Sequence, residues 1–322
     1  MELKNLKVLV TGGAGFIGSH LADRLLELDN SVVAYDNFDP YYKGKRRNIE
    51  HNLKDPHYKL VEGDILDYKK LREATKGMNV VFHLAAQPGV RYSMSNPVKV
   101  NTVNATGTIN VLQAVIENSV DKLVCASSSS VYGNVQKLPM SEGDPVEPIS
   151  PYGVSKLAAE YYCRTYFKTY ELDVVTLRYF TVIGSRQRPD MAVHNFTRLM
   201  LDDQEILVFG DGEQTRDFTN VHDAVQGTIL AAEKEGTGGE VFNIGSGKRT
   251  SLNKLVEVLS ETIGKKARIK YTEAKQGDVE NTLADITKAR ATLGYNPKIS
   301  LETSLREFIE WYRNVGSTNA SP

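Results

Sequence analysis

The chain has 322 residues, enough for one large domain with a smaller domain beside it. Hydrophobic residues make up 41% of the sequence and charged residues 25%, which is typical of a soluble globular protein. The formal net charge of −1 excludes a global field that would recruit nucleic acid or an anionic membrane, so local charges and backbone dipoles must hold any anionic ligand.

The cysteines and the N-terminal segment indicate where the protein resides. Cys125 and Cys163 lie in apolar segments, which suggests buried thiols in a reducing compartment. No CxxC motif or histidine-rich cluster offers a metal site, so we expect no metal. A strand pattern begins within a few residues of Met1, and no apolar run approaches the roughly 20 residues that span a bilayer. We therefore predict a cytoplasmic protein.

Short apolar runs rich in Val, Leu, Ile and Phe recur along the chain. None alternates cleanly between apolar and polar residues, which is typical of parallel strands covered on both faces of a sheet. The candidate strands are Leu6–Thr11, Ser31–Tyr35, Tyr58–Glu62, Val80–Leu84, Leu123–Ser127, Val174–Phe180 and Val241–Ile244.

Helical patterns separate these runs, and the alternation predicts an α/β fold with a doubly wound parallel sheet of the Rossmann type. A sheet domain is expected over residues 1–180, with contributions from about 217–250. A smaller, mostly C-terminal domain is expected over 181–322, with the chain crossing between the two. The helical patterns lie near 16–28, 67–76, 97–118, 153–171, 222–234, 251–263, 285–293 and 301–314, and short extended pieces lie at 206–209 and 268–271.

The segment TGGAGFIG places Gly12, Gly15 and Gly18 between the first strand and the first helix. Such glycines allow a tight turn, close approach of the backbone to a pyrophosphate, and close packing of helix and strand. The helix N-terminus would then offer free N–H groups to the phosphates. Asp36 ends the second strand, where its carboxylate would accept the adenosine ribose hydroxyls and repel a 2′-phosphate. The pattern predicts that residues 1–180 bind NAD rather than NADP.

Other residues are expected along the bound NAD. Asp64 and Ile65 follow the third strand and would border the adenine, and Leu84, Ala85 and Ala86 follow the fourth. A plain loop explains these two segments equally well. The remaining expected contacts are Phe16, Ile17, Asn37, Asn104 and the pair Tyr152 and Lys156.

Tyr152 and Lys156 are four residues apart in a helical pattern and therefore share a helix face. A neighbouring ammonium and a positive nicotinamide ring would favour the phenolate, which could accept a proton from a substrate hydroxyl. Upstream, CASSSSVYG ends a buried strand in serines, at the sheet edge where ligands bind. An exposed helical pair and a polar turn would explain the motifs separately, but together with the glycine loop they indicate a catalytic site.

With these motifs in order along the chain, the sequence resembles the extended short-chain dehydrogenase/reductase family. Within that family it is most similar to the NAD-dependent UDP-sugar 4-epimerases. The resemblance implies that Tyr152 is the base, Lys156 its activator and a ribose contact, and Ser128 the hydrogen-bonding hydroxyl, with Ser127 as the alternative. The matching segments are TGGAGFIG, DNF, GDI, HLAAQ, SSSSVYG, SPYGVSK, LRYFTVIG, RDFTNVHD, NIGSG and QGDV.

The same resemblance implies a set of contacts to the nucleotide. Lys275 stands where the family usually carries an arginine, so it would supply charge without a bidentate fork. The other implied contacts are Arg216 at the diphosphate, Asn195 near it, the backbone of Val208 and Phe209 at the uracil, and Asp278 at the uridine ribose.

The resemblance also bears on the sugar. The segment HLAAQPGVRYS, which contains Arg91, resembles UDP-glucuronate 4-epimerases, and Thr181 stands where glucose-type enzymes commonly have Asn. A Thr hydroxyl with Arg186 and Arg188 would hold a C5 carboxylate, although diphosphate binding or surface charge explains the arginines as well. UDP-N-acetylglucosamine and UDP-glucose stay open, because the small Thr282 stands where a bulky residue tends to exclude an N-acetyl group.

Three further alternatives concern the type of reaction, a non-catalytic role and the assembly of the protein. Nucleotide-sugar decarboxylases and dehydratases generally carry an acid just before VYG, where this chain has Ser129 and Ser130, so both are disfavoured. A non-catalytic dinucleotide sensor on the same fold is disfavoured because the catalytic residues are intact. The long helical patterns at 97–118 and 153–171 could pair with their copies in a homodimer, or could merely cover the sheet.

Overall fold

The computed structural model describes residues 1–135, 137–273 and 279–315. Its strands are β1 Lys7–Thr11, β2 Ser31–Asp36, β3 Tyr58–Glu62, β4 Val80–His83, β5 Lys122–Ser128, β6 Val174–Tyr179, β7 Thr181–Ile183, β8 Ile206–Phe209, β9 Thr215–Arg216, β10 Phe218–Asn220, β11 Val241–Ile244, β12 Thr250–Ser251 and β13 Ile269–Thr272. Its α-helices are α1 Phe16–Glu27, α2 Lys45–Asn48, α3 Tyr68–Thr75, α4 Val90–Ser95, α5 Pro97–Asn101, α6 Gly107–Glu117, α7 Pro151–Tyr170, α8 Ala192–Leu201, α9 Val221–Glu233, α10 Leu252–Ile263, α11 Thr287–Leu293 and α12 Leu301–Val315.

A central sheet contains all of the strands predicted from the apolar runs. Its order is β11-β6-β5-β4-β1-β2-β3, and every neighbouring pair is parallel. In register, Val10 of β1 lies between Ala34 of β2 and Phe82 of β4. The order reverses between β1 and β4, which is the point where doubly wound sheets bind ligands. The predicted fold class is therefore confirmed.

Helices cover both faces of this sheet. Helices α1 and α9 pack together on one face, while α3, α6 and α7 pack side by side on the other. Successive residues of a strand point to opposite faces, and Leu9 and Val10 both have no exposed surface. Burial on both faces explains why the strands read as continuous apolar runs.

A second hydrophobic core lies in the C-terminal part of the chain. It joins α8, α10, α12 and β8, with Phe196, Ile206, Leu259 and Phe308 among its buried side chains. Strands β8 and β13 pair in parallel beside it, and β7 pairs with β10. The chain returns to the main sheet through α9 and β11 before it builds α10 and α12. The core in the C-terminal part is separate from the cores on the two faces of the sheet, which agrees with the two-domain division, and that division stays a prediction.

The helical pattern at 97–118 is not one continuous helix. Helix α5 ends at Asn101, a π-helical turn covers Thr102–Thr106, and α6 begins at Gly107. A π-helical turn accommodates an extra residue in the helix and is frequent at functional sites. Sequence periodicity did not reveal this interruption, because the apolar positions on either side continue the helical pattern.

Candidate active site

A cavity of about 420 Å³ opens at the carboxyl ends of the parallel strands. The glycine loop after β1, the serine segment after β5 and the start of α7 all contribute to its wall. These segments are far apart in sequence, and the parallel topology brings their strand ends to one edge of the sheet.

The glycine loop is shaped for close approach of a ligand. Gly12 adopts a left-handed backbone with φ +71°, and an added Cβ would lie 2.8 Å from the backbone nitrogen of Ala85. Its own nitrogen donates to the carbonyl of Tyr35 at 2.7 Å. The loop leads directly into α1, whose first-turn N–H groups have no intrahelical partner. This cradle fits the pyrophosphate of a dinucleotide.

Asp36 lies at the end of β2, lines the cavity and is 5% exposed. Its carboxylate accepts hydrogen bonds from the backbone nitrogens of Ala14 at 3.2 Å and Phe38 at 2.8 Å. The ammonium of Lys45 lies 3.7 Å from the same carboxylate. A carboxylate held in this way is well placed to accept ribose hydroxyls beside the glycine loop.

His83 ties the ends of two strands to the first turn of α6. Its Nδ1 lies 2.8 Å from the Thr11 hydroxyl, and its Nε2 lies 3.0 Å from the Thr108 hydroxyl. Because Thr108 donates its own proton to the carbonyl of Asn104 at 2.6 Å, it can only accept from His83. Nε2 therefore carries the proton of a neutral imidazole. Burial, aided by the nearby Lys156 charge, lowers the pKa of His83 to about 3.

Tyr152 and Lys156 lie in the first turns of α7, which begins at the cavity. Ser150 caps this helix by accepting a hydrogen bond from the Gly153 nitrogen at 3.1 Å, and Pro151 occupies its first turn. An added Cβ on Gly153 would lie 2.5 Å from the carbonyl oxygen of Ser130, so a glycine lets the helix approach the serine segment closely. Both Tyr152 and Lys156 line the cavity.

The serine segment faces these two residues across the same cavity. Lys156 is buried and donates from Nζ to the carbonyl of Ala126 at 2.9 Å, just before the serines. The Ser128 hydroxyl lies 3.2 Å from the Ser130 hydroxyl, and both line the cavity. The arrangement brings a phenol, an ammonium and a hydroxyl to one space, which suits proton transfer to and from a ligand hydroxyl.

Most residues predicted to bind the cofactor line this cavity. They are Gly12, Gly15, Phe16, Ile17, Gly18, Asp36, Asn37, Asp64, Ile65, Leu84, Ala85, Ala86, Tyr152 and Lys156.

Asn104 differs from this set, because its side chain is used within the protein. Its amide oxygen accepts from the Gln87 nitrogen at 2.7 Å, and its amide nitrogen donates to the Gln87 carbonyl at 3.1 Å and to the Ser155 hydroxyl at 3.0 Å. Asn104 is absent from the described lining. It therefore braces the segment after β4 against α7, and its predicted contact with a cofactor stays a prediction.

The residues predicted to bind the substrate separate into three groups. Ser128, Thr181, Arg188 and Arg216 line the cavity. Among the described residues, Arg91, Asn195, Val208 and Phe209 lie outside the lining. Lys275 and Asp278 fall outside the described residues. The roles of the last two groups as nucleotide contacts stay predictions.

The described residues outside the lining make contacts within the protein or are buried in its second core. The guanidinium of Arg91 lies 4.9 Å from the centre of the Phe209 ring, so these two residues contact each other. The amide oxygen of Asn195 accepts from Arg198 at 3.1 Å. Val208 has no exposed surface and belongs to the second core.

The two arginines considered for a C5 carboxylate have different surroundings. Arg186 pairs with Asp23 of α1 at 2.8 Å and is absent from the lining, so its expected part in holding a carboxylate stays a prediction. Arg188 lines the cavity, and it donates to Asp190 from Nε at 2.9 Å and from Nη2 at 3.1 Å. A ligand anion would therefore have to share Arg188 with Asp190.

Sequence reasoning missed the segment after β2 as part of the wall. Asp39, Tyr41, Tyr42 and Lys45 all line the cavity. Tyr41 donates to Asp190 at 3.0 Å, and Asp39 pairs with Lys99 at 2.8 Å. The adjacent tyrosines and the lysines of PYYKGK, which begins four residues after Asp36, were the available signal.

The chain is similar to known proteins over nearly its whole length. Residues 9–308 match the family model described as GDP-mannose 4,6 dehydratase. The chain is 39% identical to the UDP-glucuronate 4-epimerase of Thermodesulfobacterium geofontis over 94% of this chain and 95% of that protein.

Two crystal structures are similar over nearly the whole chain. One is the Bacillus cereus UDP-glucuronic acid 4-epimerase with UDP-glucuronic acid and NAD, at 39% identity and a TM-score of 0.92, covering 96% of this chain and 100% of that one. The other is the Methanobrevibacter ruminantium UDP-N-acetylglucosamine 4-epimerase, at 33% identity and a TM-score of 0.91, covering 97% and 99%.

The chain belongs to the extended short-chain dehydrogenase/reductase family. The resemblance inferred from the ordered motifs is thus confirmed. Within the described parts of the chain, no cluster of three or more His, Cys, Asp or Glu side chains is arranged to hold a metal ion. None of the described helices combines the length and apolar character needed to cross a membrane.

Proposed function

We propose that the protein is an NAD-dependent UDP-sugar 4-epimerase whose substrate is UDP-glucuronate. The observation that carries this proposal is the meeting of Tyr152, Lys156 and Ser128 at one cavity with the glycine loop and Asp36. The first three residues suit removal of a proton from a hydroxyl, and the last two suit a dinucleotide. Similarity to UDP-glucuronate 4-epimerases supports the choice of sugar.

Each residue has a chemical task in this mechanism. Tyr152 takes the proton of the C4 hydroxyl, and Lys156 stabilises the resulting phenolate by its charge. Ser128 hydrogen-bonds the reacting oxygen and relays its proton toward Tyr152. NAD, when bound, would supply the acceptor for the C4 hydride and the donor for its return, so the reaction would be redox-neutral. The 4-keto sugar then rotates so that its opposite face is presented to the hydride donor. Tyr152 returns the proton to the C4 oxygen, and the configuration at C4 is inverted.

The serine segment favours epimerisation over elimination. Ser129 and Ser130 line the cavity at the positions where an acid would serve water elimination or decarboxylation in related enzymes. A serine hydroxyl titrates far above neutral pH and is a poor general acid compared with a carboxyl group. The same hydroxyls, together with Thr181, offer hydrogen bonds to polar groups on the sugar.

A second substrate, UDP-N-acetylglucosamine, is favoured by one observation. Thr282 lines the cavity, and its hydroxyl accepts from the Asp217 nitrogen at 3.2 Å, which fixes a small side chain at that point of the wall. A small side chain leaves room for an N-acetyl group. The match to a UDP-N-acetylglucosamine 4-epimerase gives further support.

We also infer that two copies of the chain form a homodimer through α6 and α7. Two large apolar side chains of α7 are exposed, Val154 at 52% and Tyr161 at 56%, and because they are seven residues apart they lie on one face of the helix. Helix α6 lies beside α7 on the same face of the sheet. Exposed apolar patches of this kind typically mark protein interfaces.

The experiment that tests the proposed function is a substrate panel. Purified protein would be incubated separately with UDP-glucuronate, UDP-N-acetylglucosamine and UDP-glucose, and the products analysed by NMR and mass spectrometry. We expect fastest conversion of UDP-glucuronate to its C4 epimer with unchanged mass. Loss of carbon dioxide or water from the product, or no conversion of any UDP-sugar, would refute the proposal.

A further inference from the structure

Glu160 and Arg178 form a buried ion pair beside the candidate catalytic residues. Arg178 donates from Nε to one carboxylate oxygen at 3.0 Å and from Nη2 to the other at 2.8 Å. Both side chains are 6% exposed. A buried ion pair adds little net stability compared with well-packed apolar side chains, because desolvation offsets most of the attraction. Net stability therefore does not explain why this ion pair lies beside the candidate catalytic residues.

Glu160 lies on the same face of α7 as Tyr152 and Lys156. The three residues follow one another at intervals of four, which places their side chains in a row along the helix. Tyr152 and Lys156 line the cavity, whereas neither Glu160 nor Arg178 belongs to its described lining. Glu160 is thus one turn further from the cavity than Lys156.

The row of side chains attaches α7 to the end of β5 at two successive residues. Lys156 donates to the carbonyl of Ala126 at 2.9 Å. The hydroxyl of Ser127 donates to the carboxylate of Glu160. Ser127 and Arg178 are direct partners in the pairing of β5 with β6, so the arginine holds the carboxylate above the serine. Ser128 follows immediately after these two attachments.

The charges of this group are also balanced. Arg178 neutralises Glu160, so the carboxylate one turn along α7 does not cancel the charge of the Lys156 ammonium, which lies one turn of the helix from Tyr152. The guanidinium also lies 4.6 Å from the centre of the Tyr132 ring and 3.5 Å from the carbonyl of Glu142. These contacts hold the guanidinium in place on its other side.

We propose that Glu160, held by Arg178, is a positioning residue that fixes the Ser127–Ser128 segment against the helix carrying Tyr152 and Lys156. This inference rests on the proposed function, since it assigns Glu160 to the same reaction. Glu160 acts through Ser127 rather than on the substrate. Misplacing reacting groups by about 1 Å can slow a reaction about 100-fold, so the expected defect is in hydride transfer and not in ligand binding.

The test replaces both charges with methionines of similar length, in Glu160→Met/Arg178→Met. Exchange of a whole buried pair for apolar side chains usually preserves folding. We expect hydride transfer from UDP-glucuronate, followed as transient NADH absorbance in a single turnover, to slow about tenfold or more. The KM for UDP-glucuronate and the content of bound NAD should match the wild type. Adding Ser127→Ala in this background should cause no further loss, because the two changes remove the same contact.

Three results would overturn the inference. One is a normal rate of hydride transfer in the double variant. Another is a full additional loss on adding Ser127→Ala, which would mean that Ser127 acts directly on the substrate. The third is a wild-type enzyme without turnover on any UDP-sugar, which would contradict the proposed function and this inference with it.

A second comparison applies if the double variant does not fold. Ser127→Ala in the wild type is measured against Ser304→Ala, which removes an equally buried serine hydroxyl in the second domain. We expect hydride transfer to slow about tenfold in the first variant and not in the second. Equal rates in the two would contradict a positioning role for the contact between Ser127 and Glu160.

Discussion

At the scale of single residues, the site contains side chains whose proximity is predicted by their spacing in the sequence. Tyr152 and Lys156 share a helix face because they are four residues apart, and the serines end a buried strand. These local rules sufficed to predict that they meet at one cavity, which they all line.

The different positions of Arg186 and Arg188 could not be predicted from the sequence. Arg186 and Arg188 are two residues apart in a segment without periodic structure, so sequence gave no means to separate them. In the structure Arg186 has a left-handed backbone with φ +63°, and its side chain pairs with Asp23. Arg188 instead lines the cavity. Arg186 thus has a partner more than 160 residues away, which the local sequence does not reveal, whereas the partner of Arg188 is the nearby Asp190.

Replacing Tyr152, the proposed base, tests the role of this single residue. Tyr152→Phe removes only the phenolic oxygen, so turnover of UDP-glucuronate should fall by about 100-fold or more, while bound NAD and thermal stability are retained. Turnover is measured by NMR of the product, and bound NAD by its release on denaturation.

Tyr161→Phe is the matched control, since Tyr161 lies on the same helix with 56% of its surface exposed. The control should keep full activity. Full activity in Tyr152→Phe would show that another group removes the proton.

At the scale of elements, the buried strands were predictable and the smallest ones were not. The strands of the main sheet carry enough apolar residues to form a recognisable run, as in Lys122–Ser128. Strands β9 and β12 contain two residues each, and they pair through Thr250 and Arg216, more than 30 residues apart. Two residues cannot show a period, so only the tertiary structure reveals such pairs.

The π-helical turn is a second element that sequence did not predict. It places Asn104 where its amide binds both backbone groups of Gln87, and Thr108 where it accepts from His83. The Asn104 side chain braces neighbouring elements from this turn, and its predicted contact with the cofactor stays a prediction.

His83 joins these elements and makes their stability depend on pH. Its pKa is lowered to about 3 in the folded protein, against an ordinary 6.5 in the unfolded chain. Below pH 6.5 the unfolded chain binds a proton that the folded protein does not, so acidification lowers the unfolding free energy until about pH 3. His83 alone should contribute about 1.4 kcal/mol per pH unit within that window. His20 and His194 have pKa values lowered to about 3 and about 4 by burial, and should add to the same trend.

His83→Gln should weaken this pH dependence, because an amide can donate and accept but does not titrate. Urea unfolding at several pH values between 7 and 5 gives the slope for each protein. His57→Gln is the control at an exposed position, and it should leave the slope unchanged. An unaltered slope in His83→Gln would mean that folding does not lower the pKa of His83.

At the scale of the whole molecule, the cavity wall is built from two parts of the chain. The strand ends supply the glycine loop, Asp36 and the serine segment, whereas Arg188 and Arg216 come from segments beyond residue 180. The return of the chain through α9 and β11 fixes one core against the other. This crossing was predicted because Val241–Ile244 resembles a buried strand.

The exposed face of α7 leads to a prediction about assembly. The wild type should sediment as a dimer at micromolar concentration. The double variant Val154→Asp/Tyr161→Asp should sediment as a monomer, because charges would replace apolar side chains that are about half exposed in the single chain. Analytical ultracentrifugation distinguishes the two.

A surface change away from this face provides the control. Leu207→Asp alters another exposed apolar side chain, 45% exposed on β8, and should leave the dimer intact. A wild-type monomer, or a dimer that survives both charges, would contradict an interface on α7.

The most direct test of the account follows the hydrogen at C4. UDP-glucuronate carrying deuterium at C4 would be converted by the enzyme in ordinary water, and the product examined by NMR. If hydride passes to bound NAD and returns while Tyr152 handles only the hydroxyl proton, the epimer retains its deuterium at C4. Replacement of that deuterium by solvent hydrogen would contradict the mechanism.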